Sequence, residues 1–196
     1  MNGTQLKSIE REKDLGVTVS NDLKPSQQCS EVVKKANEII GFVGRSFEHK
    51  SKEVILTLYN LLVQPHLEYC VQARSPYYKK DINKLERVQR RVTKMIPSLR
   101  EKSYKECLKE LNLFPLTQCR LRGDLIQVFK IMKTIDNMGC DKYFTVDRLN
   151  YTRGHGYKRV RKHVNSHEAM NFFFNRVIST WNGLSLLWAK RLIDGI

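Results

Sequence analysis

The chain has 196 residues, 41% of them hydrophobic, which is room for one domain or two small ones with a real core. Its formal charge of +15 points to a polyanionic partner rather than a basic or neutral one. Five cysteines, odd in number and without a C-x-x-C pair, argue against a disulfide framework and for a reducing, intracellular compartment. No apolar run follows the first Met and no stretch of about 18 uninterrupted apolar residues occurs, so neither an export signal nor a membrane partner is expected.

The first residues, 1–14, are polar and charged and read as a disordered lead. Leu15-Gly16-Val17-Thr18-Val19 reads as one short strand, too short to make a sheet, whose pairing partner is expected outside this chain. Asp22 to Pro25 form a turn, and Ser26 is placed to cap a helix outlined by Val32, Val33, Ala36, Ile39, Ile40 and Val43. Val54, Ile55, Leu58, Tyr59, Leu62 and Val63 recur at helical spacing until Pro65 interrupts them, and Leu67 to Cys70 resume the pattern. Beyond Pro76 a second helix runs from Asp81, with Ile82, Leu85, Val88, Val92, Met95 and Ile96 on its apolar face. Ser103 and Glu106 have capping-box spacing ahead of Leu108 and Leu111, and a further helix from Leu116 places Leu121, Leu125, Val128, Phe129 and Met132 on one side. From Asp141 to His167 aromatics and cations mix without a helical period, and an amphipathic stretch from Ala169 to Leu192 closes the chain.

Catalytic constellations are hard to assemble. His163 and His167 lie four apart, but the tight second ligand pair usual for zinc is absent from the sequence, and solvated histidines are the simpler reading. Cys70, Cys107 and Cys119 fall on helical patterns, where buried structural thiols are the default. Carboxylates are spread singly, with no Asp-Asp pair of the kind two-metal polymerases and nucleases need. Arg122-Gly123-Asp124 and Arg153-Gly154-His155-Gly156 match neither a P-loop nor a dinucleotide fingerprint, and an adhesion role for the former would need an exposed loop. No catalytic residue, metal ligand, cofactor or small-molecule substrate is therefore expected.

The charge is unevenly placed. Met1 to Ser75 carries 10 basic against 9 acidic residues, Pro76 to Ile135 15 against 6, and Asp136 to Ile196 10 against 5. Lys84, Arg87, Arg90, Arg91 and Lys94 decorate the polar faces of the second long helix, while Tyr151, Arg153, His155, Tyr157, Lys158, Arg159, Arg161 and Lys162 combine aromatic planes with cations. That combination suits a phosphate track or a single strand better than a plain solvated face.

A set of short motifs in one order extends this reading: Leu15-Gly16-Val17, Tyr59-x-x-x-Val63-x-Pro65-x-Leu67-Glu68-Tyr69, Ser75-Pro76, Asp81-Ile82-x-x-Leu85-Glu86-x-Val88-Gln89-Arg90, Tyr104, Leu111-x-Leu113, Arg122-Gly123-Asp124-Leu125-Ile126, Thr152-Arg153-Gly154-His155, Phe173, Arg176-Val177 and Trp181-Asn182. From about Leu15 to Leu184 the chain resembles the C-terminal part of the reverse transcriptases of non-LTR retrotransposons, of the jockey and chicken-repeat type. The resemblance implies a thumb and C-terminal extension without fingers or palm, and hence without the palm's catalytic aspartates. The chain departs from the family pattern at Asp14, Arg74, Cys107, Cys119 and Ser185.

The resulting expectation is a mainly α-helical chain with one short N-terminal strand: a disordered lead at 1–14, a thumb-like helical domain at 15–137 and a basic aromatic extension with a C-terminal amphipathic helix at 138–196. The expected capacity is non-specific, non-catalytic binding of RNA, RNA–DNA hybrid or single-stranded nucleic acid. The candidate contacts are Lys84, Arg87, Arg90, Arg91, Lys94, Arg122, Arg153, Tyr157, Lys158, Arg159, Arg161 and Lys162. The competing expectation is an inert or protein-interaction-only helical remnant of a mobile element.

Overall fold

The computed structural model describes residues 9–136, 139–145 and 157–185, with the side chains of residues 141 and 142 excepted. It is mainly helical, with one short antiparallel sheet near the N-terminus. Strands β1 (Arg11–Asp14) and β2 (Val17–Ser20) pair so that Arg11 faces Ser20 and Asp14 faces Val17. The strand at Leu15 to Val19 thus finds its partner within the chain, which corrects the expectation of an outside partner and places a strand inside the segment read as a disordered lead. All four β1 residues are charged and exposed, so no apolar alternation announces them. The remainder of that lead, residues 1–8, lies outside the described residues.

The hairpin turns at Leu15 (φ 45°) and Gly16 (φ 77°), both at positive φ as a two-residue primed turn requires. Glycine adopts this freely and leucine does not, and the Tyr69 hydroxyl braces the turn by donating to the Leu15 carbonyl at 2.8 Å. On the other edge, the Thr18 N–H donates to Gln28 Oε1 at 2.7 Å and the Thr18 hydroxyl to Glu31 Oε2 at 2.6 Å. Those bonds fasten β2 to helix α1 (Ser26–Ser46). Ser26 does not cap α1. It is the first helical residue, and its hydroxyl donates to Asp81 Oδ2 at 2.5 Å instead.

Helix α2 (Lys52–Leu58) runs through a π-helical turn (Tyr59–Val63) straight into α3 (Gln64–Glu68). Pro65 has no N–H for the Leu61 carbonyl, and the wider turn, in which the Gln64 N–H reaches Tyr59, absorbs that loss without ending the helix. It also serves the core: Ile55, Tyr59, Val63 and Leu67 step by four and are all buried, a spacing at which an unbroken α-helix would drift off one face. Leu62, read as part of the buried face, is 41% exposed.

Helix α4 (Val71–Arg74) is followed by α5 (Lys79–Thr93), a 3-10 turn (Pro97–Leu99), α6 (Tyr104–Leu111) and α7 (Leu116–Met132). The capping box forms as its spacing predicts: Ser103 Oγ accepts from the Glu106 N–H, and Glu106 Oε2 accepts from the Ser103 N–H at 2.7 Å. Asn112, at φ 52°, closes α6 in the left-handed region. Short helices α8 (Cys140–Tyr143) and α9 (His167–Asn171) precede α10 (Phe173–Asn182). The expected final amphipathic stretch is therefore broken at Phe172, and its part beyond residue 185 lies outside the described residues. No helix among the described residues is long and apolar enough to cross a membrane.

The chain divides into two compact units. Unit 1, Met1–Cys70 with Arg74–Leu116, has a core in which Ile40, Val43, Ile55, Tyr59, Leu85, Val88, Val92 and Ile96 are buried together. Unit 2, Val71–Ala73 with Thr117–Ile196, is built on Val128, Ile131, Phe144, Phe173, Val177, Ile178 and Trp181. The division falls at Leu116 rather than near residue 137, because Val128 and Ile131 of α7 share a core with α10.

At the polar centre of unit 2, the Arg176 guanidinium holds Asp124 with two bonds, at 3.1 and 2.8 Å. It also donates to the carbonyls of Val71 (3.0 Å), Gln72 (3.3 Å) and Asn171 (3.1 Å). Asp124 is buried by these contacts, so Arg122-Gly123-Asp124 displays no carboxylate for adhesion.

Candidate nucleic-acid interface

Within Lys79–Thr93 six lysines and arginines stand against two carboxylates. Both carboxylates are engaged inside unit 1. Asp81 is fully buried, with Oδ1 3.3 Å from Lys84 Nζ and Oδ2 accepting from Ser26. Glu86 Oε2 lies 2.7 Å from the Tyr104 hydroxyl, which is also 2.7 Å from Gln89 Oε1. Burial, and then the Glu86 contact, push the Tyr104 phenol well above its ordinary pKa, so it stays a neutral donor.

Three pairings fix α5 against α1: Ser26 to Asp81, Ser30 to Lys84 (3.2 Å) and Asn37 to Arg91 (2.9 Å). The offset is 54 or 55 residues each time, so the two helices run parallel and in step. Leu85, Val88 and Val92 are buried on the core side, while Arg87, Arg90 and Arg91 are exposed. Arg87 makes no hydrogen bond or ion pair among the described residues. Arg91 is oriented by Asn37, and the Arg90 guanidinium lies 4.8 Å over the Tyr104 ring, which restrains it while leaving it exposed.

Lys94 departs from the expected role. Its ammonium donates to the carbonyls of Leu99 (3.2 Å), Arg100 (2.5 Å) and Lys102 (2.5 Å). All three of its donors are thereby spent on the turn that follows the helix, so Lys94 holds backbone rather than offering charge to a ligand. Lys84, half-buried between Asp81 and Ser30, is partly committed in the same way.

Two cations that the reading of the sequence missed flank the same seam. Ser30, Lys34, Asn37, Gly41 and Arg45 succeed one another by steps of three or four along α1, so they share a stripe with the residues that contact α5. Lys34 and Arg45 are exposed on it. Gly41 leaves room for Arg45 to lie down: a Cβ there would be 3.4 Å from Arg45 Nη1. The alternation of charges along α1 alone gives no hint of this, because only the parallel register with α5 joins the two sets.

In unit 2 the basic segment is anchored by its backbone. Asn182 accepts from the Arg159 N–H at 2.9 Å and donates to the Arg159 carbonyl at 2.8 Å, while the Trp181 indole donates to the Tyr157 carbonyl at 3.0 Å. Tyr157, Arg161 and Lys162 are exposed, and Lys158 is half-buried. The Arg159 side chain is only 8% exposed, which removes it from the set of available cations. Arg122 is exposed on α7. Arg153, with Tyr151 and His155, lies outside the described residues.

Among the described residues this arrangement exposes guanidinium and ammonium groups, the chemistry that suits phosphate oxygens. Among the described residues no group of three His, Cys, Asp or Glu side chains could hold a metal ion. Comparisons with protein-family models, curated proteins and solved structures give no match, so the functional reading rests on these residues themselves.

Proposed function

We propose that the chain is a non-catalytic module that binds the phosphate backbone of RNA, RNA–DNA hybrid or single-stranded nucleic acid without sequence preference, and that it descends from the thumb and C-terminal extension of a non-LTR retrotransposon reverse transcriptase. The reading is carried by one observation. Arg87, Arg90 and Arg91 are exposed along α5, Lys34 and Arg45 along the adjoining stripe of α1, and both α5 carboxylates are occupied within the protein. Tyr157, Arg161 and Lys162 offer unit 2 a smaller contact of the same chemistry.

The test is fluorescence anisotropy on a short RNA–DNA hybrid across a salt series. Five cations each neutralising one phosphate give a slope of log K against log salt of about −4.5 on a duplex and about −3.5 on a single strand. Duplex affinity then falls about 500-fold between about 50 and about 200 mM salt. Charge reversal of Arg87, Arg90 and Arg91 to Glu abolishes binding with an unchanged circular dichroism spectrum, since all three side chains are exposed. Affinity that ignores salt, or survives the reversal, overturns the proposal and favours a protein-interaction remnant.

A further inference from the structure

Arg90 stands apart from the other exposed cations of α5 in how its side chain is held. Its guanidinium lies 4.8 Å over the Tyr104 ring, and the side chain makes no hydrogen bond or ion pair among the described residues. The ring beneath it is fixed. Tyr104 opens α6 directly behind the capping box of Ser103 and Glu106, and its hydroxyl sits between Glu86 Oε2 and Gln89 Oε1, each 2.7 Å away. Gln89 is itself only 2% exposed and donates to the Phe114 carbonyl at 3.0 Å. Glu86, Gln89 and Arg90 all belong to α5, so one helix places both the ring and the guanidinium above it. A guanidinium carries its five N–H donors in its own plane and none on its faces. Tyr104 covers one side, and Arg90 remains exposed, which leaves the opposite side open.

We propose, on the footing of the phosphate-binding function just described, that Arg90 backed by Tyr104 is a stacking platform for one unpaired base. The ligand of the seam is then a strand with unpaired bases and not a fully paired hybrid. Arg87 and Arg90 are three residues apart and so neighbours on the helix surface, and a nucleotide whose phosphate meets Arg87 has its base within reach of Arg90. A stacked guanidinium keeps its charge and its in-plane donors, so Arg90 still counts among the cations of the seam while its open side takes the flat face of a base. Bases paired within a hybrid are already stacked on their neighbours and reach a platform only at the cost of being extruded. Every base has a π face, so no sequence preference follows.

The test is fluorescence anisotropy with the full chain on three ligands: a short single strand, the same strand with every base removed and its phosphates kept, and a blunt RNA–DNA hybrid. The strand with bases binds at least about fivefold tighter than the abasic one, the worth of one stacked base. Arg90→Lys, which keeps the charge and removes the flat group, abolishes that advantage without altering the salt slope or the affinity for the hybrid. Tyr104→Leu, which removes the backing ring and leaves every cation in place, does the same, with circular dichroism showing an unchanged fold. An advantage that survives Arg90→Lys, an abasic strand bound as tightly as the intact one, or an equal loss of hybrid affinity overturns the proposal. Each of these results leaves salt-dependent phosphate binding standing. Absence of binding to all three ligands removes the phosphate function and the platform together.

Discussion

Arg176→Met tests the polar centre of unit 2. The substitution keeps much of the side chain's length and removes every donor. Lost with it are two bonds to the Asp124 carboxylate and three to the carbonyls of Val71, Gln72 and Asn171. Asp124 is left as a buried carboxylate with only the weaker pull of Arg120, and breaking a buried pair from one side costs about 3–5 kcal/mol. Burial already raises the Asp124 pKa above its ordinary value, against the opposing pull of Arg176. A raised carboxyl favours the folded state when protonated, so its contribution is fully present below the unfolded value of 3.8 and is lost as pH rises through the folded value. Without Arg176 the folded value climbs further, so the penalty is largest near neutral pH and shrinks on acidification. Urea unfolding followed by tryptophan fluorescence measures this, because Trp181 is buried in the same core. The double-mutant cycle with Asp124→Asn isolates the coupling: the double variant loses less than the sum of the single changes. An Arg176→Met variant within about 1 kcal/mol of the parent, well short of a buried-pair loss, refutes the reasoning. A penalty that does not change with pH refutes its electrostatic part.

Two further substitutions probe unit 1. Lys94→Met removes the ammonium that gathers three carbonyls, costing about 1.5–3 kcal/mol in chemical unfolding while leaving the salt slope of hybrid binding unchanged; a reduced slope would return Lys94 to the phosphate track. Leu15→Asn places a residue that tolerates positive φ before Gly16 and removes an 83% exposed leucine, so it stabilises by about 1 kcal/mol in thermal melts; destabilisation would mean that the Leu15 side chain has a structural contact.

Elements whose signals are local were legible from the sequence. Leu85, Val88 and Val92 recur at helical spacing and are buried on α5, and Ser103 with Glu106 closes the capping box that its spacing announces. Features decided at a distance were not. Strand β1 is made of four exposed charged residues, held by its register with β2 rather than by any pattern of its own. Ser26 has a capping side chain but stands one residue past the cap position, which Pro25 occupies, and its hydroxyl donates to Asp81, 55 residues away. Pro65 reads as a helix break, and becomes a π turn because the buried row from Ile55 to Leu67 requires continuity across it. The division of the chain depends on which core receives α7, and Val128 and Ile131 are drawn to the aromatics near α10.

The cations show the same limit most sharply. Helical periodicity assigns each lysine and arginine to a polar face, but their long side chains end several ångströms from the helix, where neighbouring elements decide what they meet. Lys94 follows Arg90 and Arg91 by three or four residues and looks equivalent to them, yet it lies where the chain leaves α5 and the carbonyls of Leu99, Arg100 and Lys102 converge. Arg159 falls in the densest basic run of the sequence, yet the side chain of Asn182 pairs with both its backbone groups and the arginine side chain is buried. Lys34 and Arg45 belong to a helix whose basic excess is only one, and the parallel register places Lys34 between the Ser30–Lys84 and Asn37–Arg91 pairings, with Arg45 two turns further along the same stripe. Net charge therefore suggests a class of partner, while which cations are exposed side by side follows from the packing of α1 against α5. The parent salt slope is the same for the basic helix as the sequence draws it and the two-helix seam as the fold builds it, since each offers five cations. The discriminating measurement is the Lys34→Gln, Arg45→Gln variant, whose duplex slope flattens by about 1.8 if the seam binds and is unchanged if α5 acts alone.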